Sequence, residues 1–89
     1  KSAIMNITRS DGKNIPFAAD IYDEQGNVIG NVGQGGQAFV RGIEQQGNIS
    51  IKWLEQSKPV SCLAHYQQSP EAEKIAQSII LNGIRCQIQ

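Results

Sequence analysis

Short runs of alternating apolar and polar residues, each closed by a glycine, proline or Asn/Asp turn signal, succeed one another along most of the chain. A chain patterned this way has few ways to bury its apolar positions other than as an all-β domain. "ISIKWL" (49–54) is the cleanest run: Ile49, Ile51 and Trp53 share one face, and Ser50 and Lys52 the other. "AIMNITRS" (3–10) alternates loosely and stops at Asp11-Gly12, a dipeptide suited to a hairpin turn. In "NIPFAADIYD" (14–23), Ile15, Phe17, Ala19 and Ile21 fall on one face and Asp20 and Tyr22 on the other. Pro16 cannot donate a ladder hydrogen bond, so this strand begins near it or lies at an edge. "VIGNV" (28–32), "QAFVRGI" (37–43), "VSCLAHY" (60–66) and "IRCQI" (84–88) read as further strands, with turns at "DEQGN" (23–27) and "EQQGN" (44–48) and a loop containing Pro59. Strands at such spacing predict a small β-sandwich of two sheets.

One segment breaks the pattern. "SPEAEKIAQSIILNG" (69–83) offers Ser69 as an N-cap, Pro70 at the first helical position, and Glu71 and Glu73 at the positive dipole end. Ala72, Ile75, Ala76, Ile79 and Ile80 recur at helical spacing and Asn82-Gly83 supplies a stop, so a single amphipathic helix is expected over 69–83. At 89 residues there is room for one hydrophobic core, hence one domain spanning 1–89. A sequence that starts at Lys1 without an initiator methionine reads as an excised domain or a processed product.

Eight basic and eight acidic side chains cancel and are scattered. That argues against nucleic acid, which needs a basic patch, and against an anionic membrane surface. No apolar run approaches the roughly 20 residues of a spanning helix, so the domain itself is not expected to insert in a membrane.

"NVGQGGQAFVRG" (31–42) looks like a phosphate cradle. A Walker-type loop, however, needs a lysine and a hydroxyl residue opening a helix after its last glycine, and a dinucleotide fingerprint needs strand, glycines, then helix. Here a strand-like run comes next, so Gly33, Gly35 and Gly36 are read as structural, serving a tight turn or bulge. Cys62, His65 and Cys86 would make three zinc ligands, but Cys62 and His65 stand three apart on a strand and point to opposite faces. The same geometry defeats a Cys–His nucleophile. A structural Cys62–Cys86 disulfide in an oxidising compartment is the better account. Asp20, Asp23 and Glu24 lie on or beside a turn, where carboxylates are solvated rather than paired for acid–base work. Trp53 belongs to the apolar stripe and is a core residue before it is a sugar platform. The residues thus predict a non-enzymatic domain with no metal and no cofactor, its business being interaction.

Residues 11–53, "DGKNIPFAADIYDEQGNVIGNVGQGGQAFVRGIEQQGNISIKW", resemble the C-terminal domain of fimbrial outer-membrane ushers of the chaperone–usher pathway. That family places a D-G-x-x-(L/I)-P-F-G-A strand before a G-x-x-(V/I)-G turn. A V-G-x-G-G-Q loop, an aromatic-R-G strand, a turn glycine and a strand ending in Trp come after it. Two cysteines are next, matching Cys62 and Cys86. Ala18 stands where the family has glycine, and the stretch between the cysteines matches no family motif. The resemblance implies a β-sandwich similar to the usher plug domain, a fragment of a larger outer-membrane protein, placed on the periplasmic side. It further implies docking of periplasmic chaperone–subunit complexes during assembly of fimbriae, pili or capsular fibres. The other implied partners are domains of the same usher: its N-terminal domain, plug and barrel.

The docking residues expected are outward apolar groups the core does not require: Tyr22, Leu54, Leu63, and Phe39 or Val40 according to register. Arg41 would orient the partner by charge. Gln34 and Gln37 would sit at an exposed loop tip. The competing class is a carbohydrate-binding or adhesin-like sandwich, which needs coplanar exposed aromatics. A third reading is a transthyretin-like domain with a purely structural role.

Overall fold

A computed structural model describes residues 2–68 and 79–89. They form seven strands: β1 (Ser2–Arg9), β2 (Asp20–Tyr22), β3 (Val28–Val32), β4 (Gln37–Arg41), β5 (Gln46–Glu55), β6 (Lys58–Gln67) and β7 (Ile79–Ile88). Inward and outward residues alternate, as period-2 patterning requires. In β1, Ala3, Met5, Ile7 and Arg9 are buried between more exposed neighbours. In β5, Ile49, Ile51 and Trp53 are buried while Lys52 and Leu54 face out.

The strands form one sheet in the order β1-β4-β3-β2-β5-β6-β7, closed by a parallel pairing of β7 with β1. The sandwich expected from the sequence is therefore a barrel of sandwich type, and β7 makes the closure. Between Met5 and Ile7 of β1, the paired residue on β7 jumps from Leu81 to Ile84, a bulge that bends the strand. Before that bend β7 pairs with β1; after it, Cys86–Ile88 also pair with Cys62–Ala64 of β6. The Cys62–Cys86 disulfide lies across this short seam, with Cα atoms 5.3 Å apart.

Three local expectations are corrected. Residues 79–83, expected to finish a helix, are strand: Ile79 and Leu81 point inward and Ile80 outward, a period of two rather than 3.6. Residues 69–78 of that expected helix lie outside the described residues. Phe17, expected on the buried face with Ile15, Ala19 and Ile21, is exposed. A turn from Pro16 to Ala19, with Ala18 at φ 71°, breaks the alternation there, so only Asp20–Tyr22 are strand. The loop expected around Pro59 is a tight hairpin, in which Glu55 pairs with Lys58 across Gln56 and Ser57, both at positive φ. That geometry matches the strand twist even without glycine. Pro59 is tolerated within β6 because β7 reaches β6 only at Cys62–Ala64, leaving the strand a free edge at the proline.

Candidate docking surface

Strand register sorts the outward residues into rows. Ile4 of β1 is opposite Phe39 of β4 on one side and Ile80 of β7 on the other. These three make an apolar row across β7-β1-β4, with Phe39 47% and Ile80 58% exposed. Val40 points inward, which settles the register left open in the sequence. Ser2, Ala3, Ile4, Phe39, Val40 and Arg41 line a shallow depression of about 380 Å³ at one end of this row. Arg41 stands there opposite Ser2 and donates from its guanidinium to the Val28 carbonyl at 3.5 Å. On the other side of the row lie amides: Asn6 is opposite Gln37, and Asn6 Nδ2 donates to Asn82 Oδ1 at 2.6 Å. The face is thus apolar along its middle, amide-lined on one flank and cationic at one end.

The glycine-rich loop shapes this face. Gln34–Gly36 make a single 3₁₀ turn between β3 and β4. A Cβ on Gly33 would lie 2.6 Å from a ring carbon of Phe39, so the absence of a side chain there lets the ring settle against the loop. Gly36, at φ 78°, lies so close to β1 that a Cβ would be 2.6 Å from the Ile7 carbonyl oxygen. Gln34 and Gln37 are exposed on either side of the turn.

The other expected residues lie on the far side of the barrel. Tyr22, half-buried on β2, is opposite Ser50 of β5, which is opposite Leu63 of β6. Lys52 Nζ lies 4.9 Å from the centre of the Tyr22 ring, a cation–π contact. Leu54, 71% exposed, pairs with Pro59 near the hairpin end. The expected residues therefore form two groups on opposite faces: Phe39, Arg41 and Gln37 in one, Tyr22, Leu54 and Leu63 in the other. Trp53 is buried.

At the two ends of the barrel, described charged groups are held in hydrogen-bond networks. At one end the buried Arg9 guanidinium pairs with Asp11 at 2.7 Å and Glu55 at 3.1 Å, and donates to the Asn14 carbonyl at 3.2 Å. It lies 5.0 Å from the Trp53 ring centre, and the Trp53 indole N–H donates to the same Glu55 oxygen at 3.2 Å. Burial works against the Arg9 charge, but the hydrogen bonds and charges of Asp11 and Glu55 outweigh it and raise the arginine pKa. The Lys13 backbone N–H and then Arg9 hold Asp11 below the usual carboxylate range, and the Trp53 N–H and then Arg9 do the same for Glu55. All three groups stay ionised, which suits a clamp and not a proton shuttle. At the other end, the Asn27 and Gln25 backbone N–H groups cap Asp23 and lower its pKa. His65 is exposed and contacts Asn48, while Cys62 is buried in the disulfide, so the pair does not converge. No group of three or more His, Cys, Asp or Glu among the described residues is arranged to hold a metal.

Residues 4–70 match the family model of the PapC C-terminal domain. The chain belongs to that family. Over all its 89 residues it is 99% identical to the outer membrane usher protein HtrE of Escherichia coli (strain K12), covering 10% of that protein. It is 34% identical over 74 residues to the probable outer membrane usher protein LpfC' of Escherichia coli O157:H7, covering 80% of this chain and 15% of the relative. This usher domain thus spans 10% and 15% of the length of these two curated relatives. Among solved structures, the Caf1A usher C-terminal domain superposes with a TM-score of 0.78 at 24% identity, over 99% of this chain and 98% of that one. Conserved hydrophobic clusters on the surface of that Caf1A domain are important for F1 antigen assembly. The C-terminal domain of the PapC usher, which shares structural homology with its own plug, superposes at 0.69 and 23% identity, over 99% and 93% of the two chains. The fold is that of usher C-terminal domains.

Two members of the usher domain's apolar row escape sequence reasoning. Ile80 falls on the face of the expected helix, and Ile4 lies within a loosely alternating strand. The signal available for Ile4 is its parity: if Ala3, Met5 and Ile7 point inward, Ile4 must point out. Nothing local marks Ile80 as its neighbour.

Proposed function

We propose that this usher domain is a non-enzymatic docking platform on the periplasmic side of the outer membrane. It receives chaperone–subunit complexes during fibre assembly in the chaperone–usher pathway. The observation that carries the reading is the apolar row of exposed Ile80, half-buried Ile4 and exposed Phe39, three side chains brought into contact register on neighbouring strands and flanked by Arg41 and amides. Stripes of this kind mark interaction sites on soluble domains. The role of surface hydrophobic clusters in the Caf1A domain supports the same reading. Arg41 steers the approaching complex and the apolar row holds it.

The test is binding of a chaperone–subunit complex to the domain, alone and fused to the usher's N-terminal domain. Phe39→Asp should weaken binding about ten- to thirty-fold, the usual loss for a well-buried aromatic anchor. Leu63→Asp, on the opposite face, should leave it within about two-fold, as peripheral contacts do. No binding in either format, or equal losses from both variants, refutes docking through this face.

A further inference from the structure

We propose that Asn82 is a site of spontaneous deamidation, and that its conversion places a negative charge on the docking face. Asparagine is a thermolabile side chain, and its reactivity depends on the residue immediately C-terminal to it. The chain holds six asparagines, and five of them, Asn6, Asn14, Asn27, Asn31 and Asn48, precede isoleucine or valine. A branched Cβ crowds the backbone nitrogen that must attack the asparagine side chain. Asn82 alone precedes glycine.

The fold adds three features. The bulge drops Asn82 and Gly83 out of the paired register, which passes from Met5–Leu81 to Ile7–Ile84. Gly83 sits at φ 70°, is exposed, and has open space where a Cβ would stand, so no side chain of its own crowds the backbone that must bend back toward Asn82. Asn6 Nδ2 donates to Asn82 Oδ1 at 2.6 Å, which polarises the side-chain carbonyl and makes Cγ more electrophilic.

In the reaction the Gly83 nitrogen attacks Asn82 Cγ. A carbon–nitrogen bond forms as the Cγ–Nδ2 bond breaks, and ammonia leaves with the proton lost by the Gly83 nitrogen. Water then opens the succinimide at either carbonyl, giving aspartate or isoaspartate. The new carboxylate lies beside Asn6, in the amide row adjoining Ile80–Ile4–Phe39. Its effect on a partner rests on the docking reading; the chemistry does not.

The experiment is to age the folded domain in neutral buffer and monitor tryptic peptides by mass. Cleavage after Lys74 and Arg85 isolates Ile75–Arg85, which holds Asn82 and no other asparagine. That peptide should gain the mass of an amide-to-acid conversion before any peptide carrying the other five, and become a substrate for isoaspartyl methyltransferase. Asn82→Gln should abolish both signals. Conversion at Asn82 no faster than at the Asn-Ile and Asn-Val sites, or signals that persist in Asn82→Gln, overturns the proposal. The readout needs no partner, so its failure is distinguishable from a failure of docking.

Discussion

Replacing both Cys62 and Cys86 by alanine should cost this domain a large share of its stability, and the size of the loss is set by the topology. The disulfide closes a loop with a sequence separation of 24. On the chain-entropy account, a cross-link of that span removes about 3.5 kcal/mol of unfolded-state freedom. Both cysteines are fully buried, so truncating the sulfurs to methyl groups adds a cavity cost of about 1 kcal/mol. A domain of this size has roughly 5–13 kcal/mol in total. The loss is therefore between a third and most of it.

Urea unfolding monitored by Trp53 fluorescence measures this directly, because Trp53 is the sole tryptophan and is buried. With a denaturant slope of about 1 kcal/mol per M, the midpoint should fall by about 3 M or more. The structure also says where native-state effects should appear. β6 and β7 share only the pairs Cys62–Ile88, Leu63–Gln87 and Ala64–Cys86, so amide exchange should rise there well before it rises between β1 and β4. A double variant within about 1 kcal/mol of the parent would refute the loop-closure account. A uniform rise in exchange would refute the idea that the bridge locks this seam.

Three further outcomes rest on the local contacts of a few residues. Asp11, Asp23 and Glu55 have lowered pKa values in the fold, so their stabilisation is complete above the unfolded carboxylate range and disappears as pH falls through the lowered folded values. The urea midpoint should be flat from neutral pH down to about 4.5 and fall below that. Arg9→Met should make the acid limb shallower without flattening it, since the Lys13 and Trp53 N–H donors remain; an unchanged limb contradicts the clamp. Ala18→Gly should stabilise the domain by about 1 kcal/mol, because Ala18 occupies left-handed backbone that costs an L-residue about that much. A thermal midpoint lowered by this substitution would show that the turn is not strained.

How far the fold is legible in the sequence depends on how local each cause is. Ile49, Ile51 and Trp53 alternate so plainly that β5 can be placed on sequence alone, and the turn glycines mark most strand ends. The Gln56–Ser57 hairpin is invisible because it uses positive φ without glycine. Phe17 is misplaced when alternation is carried through a turn that is closed by the Ala19 N–H on the Pro16 carbonyl and held by the Ala18 N–H on the Val32 carbonyl. Ile79 and Ile80 read as helix because a short apolar run satisfies either period; the parallel partner β1, from the other end of the chain, decides for strand. The apolar row suffers most from this. Ile4, Phe39 and Ile80 come from three separate parts of the sequence and meet only through register, whereas Leu54 and Leu63, legible as outward apolar residues, lie on the other face.

The exposure left on that row bears on how such a platform would work. A phenylalanine has about 200 Å² to bury, and Phe39 and Ile80 each keep roughly half of theirs open. Covering the two therefore removes about 200 Å² of apolar surface from water, worth about 5 kcal/mol. Association alone costs about 4–15 kcal/mol. The row by itself therefore binds weakly, and a partner dwells on it only when something else holds that partner nearby. Tethering to a second recruiting domain raises the local concentration to about the millimolar range, enough to populate a contact of this strength. On the docking reading a weak apolar seat with a cationic end suits a handover, since a complex held too tightly could not be passed on. In the binding test the isolated domain should therefore hold a chaperone–subunit complex far more weakly than the fusion does. Comparable affinities would mean that the domain holds its partner through more surface than this row.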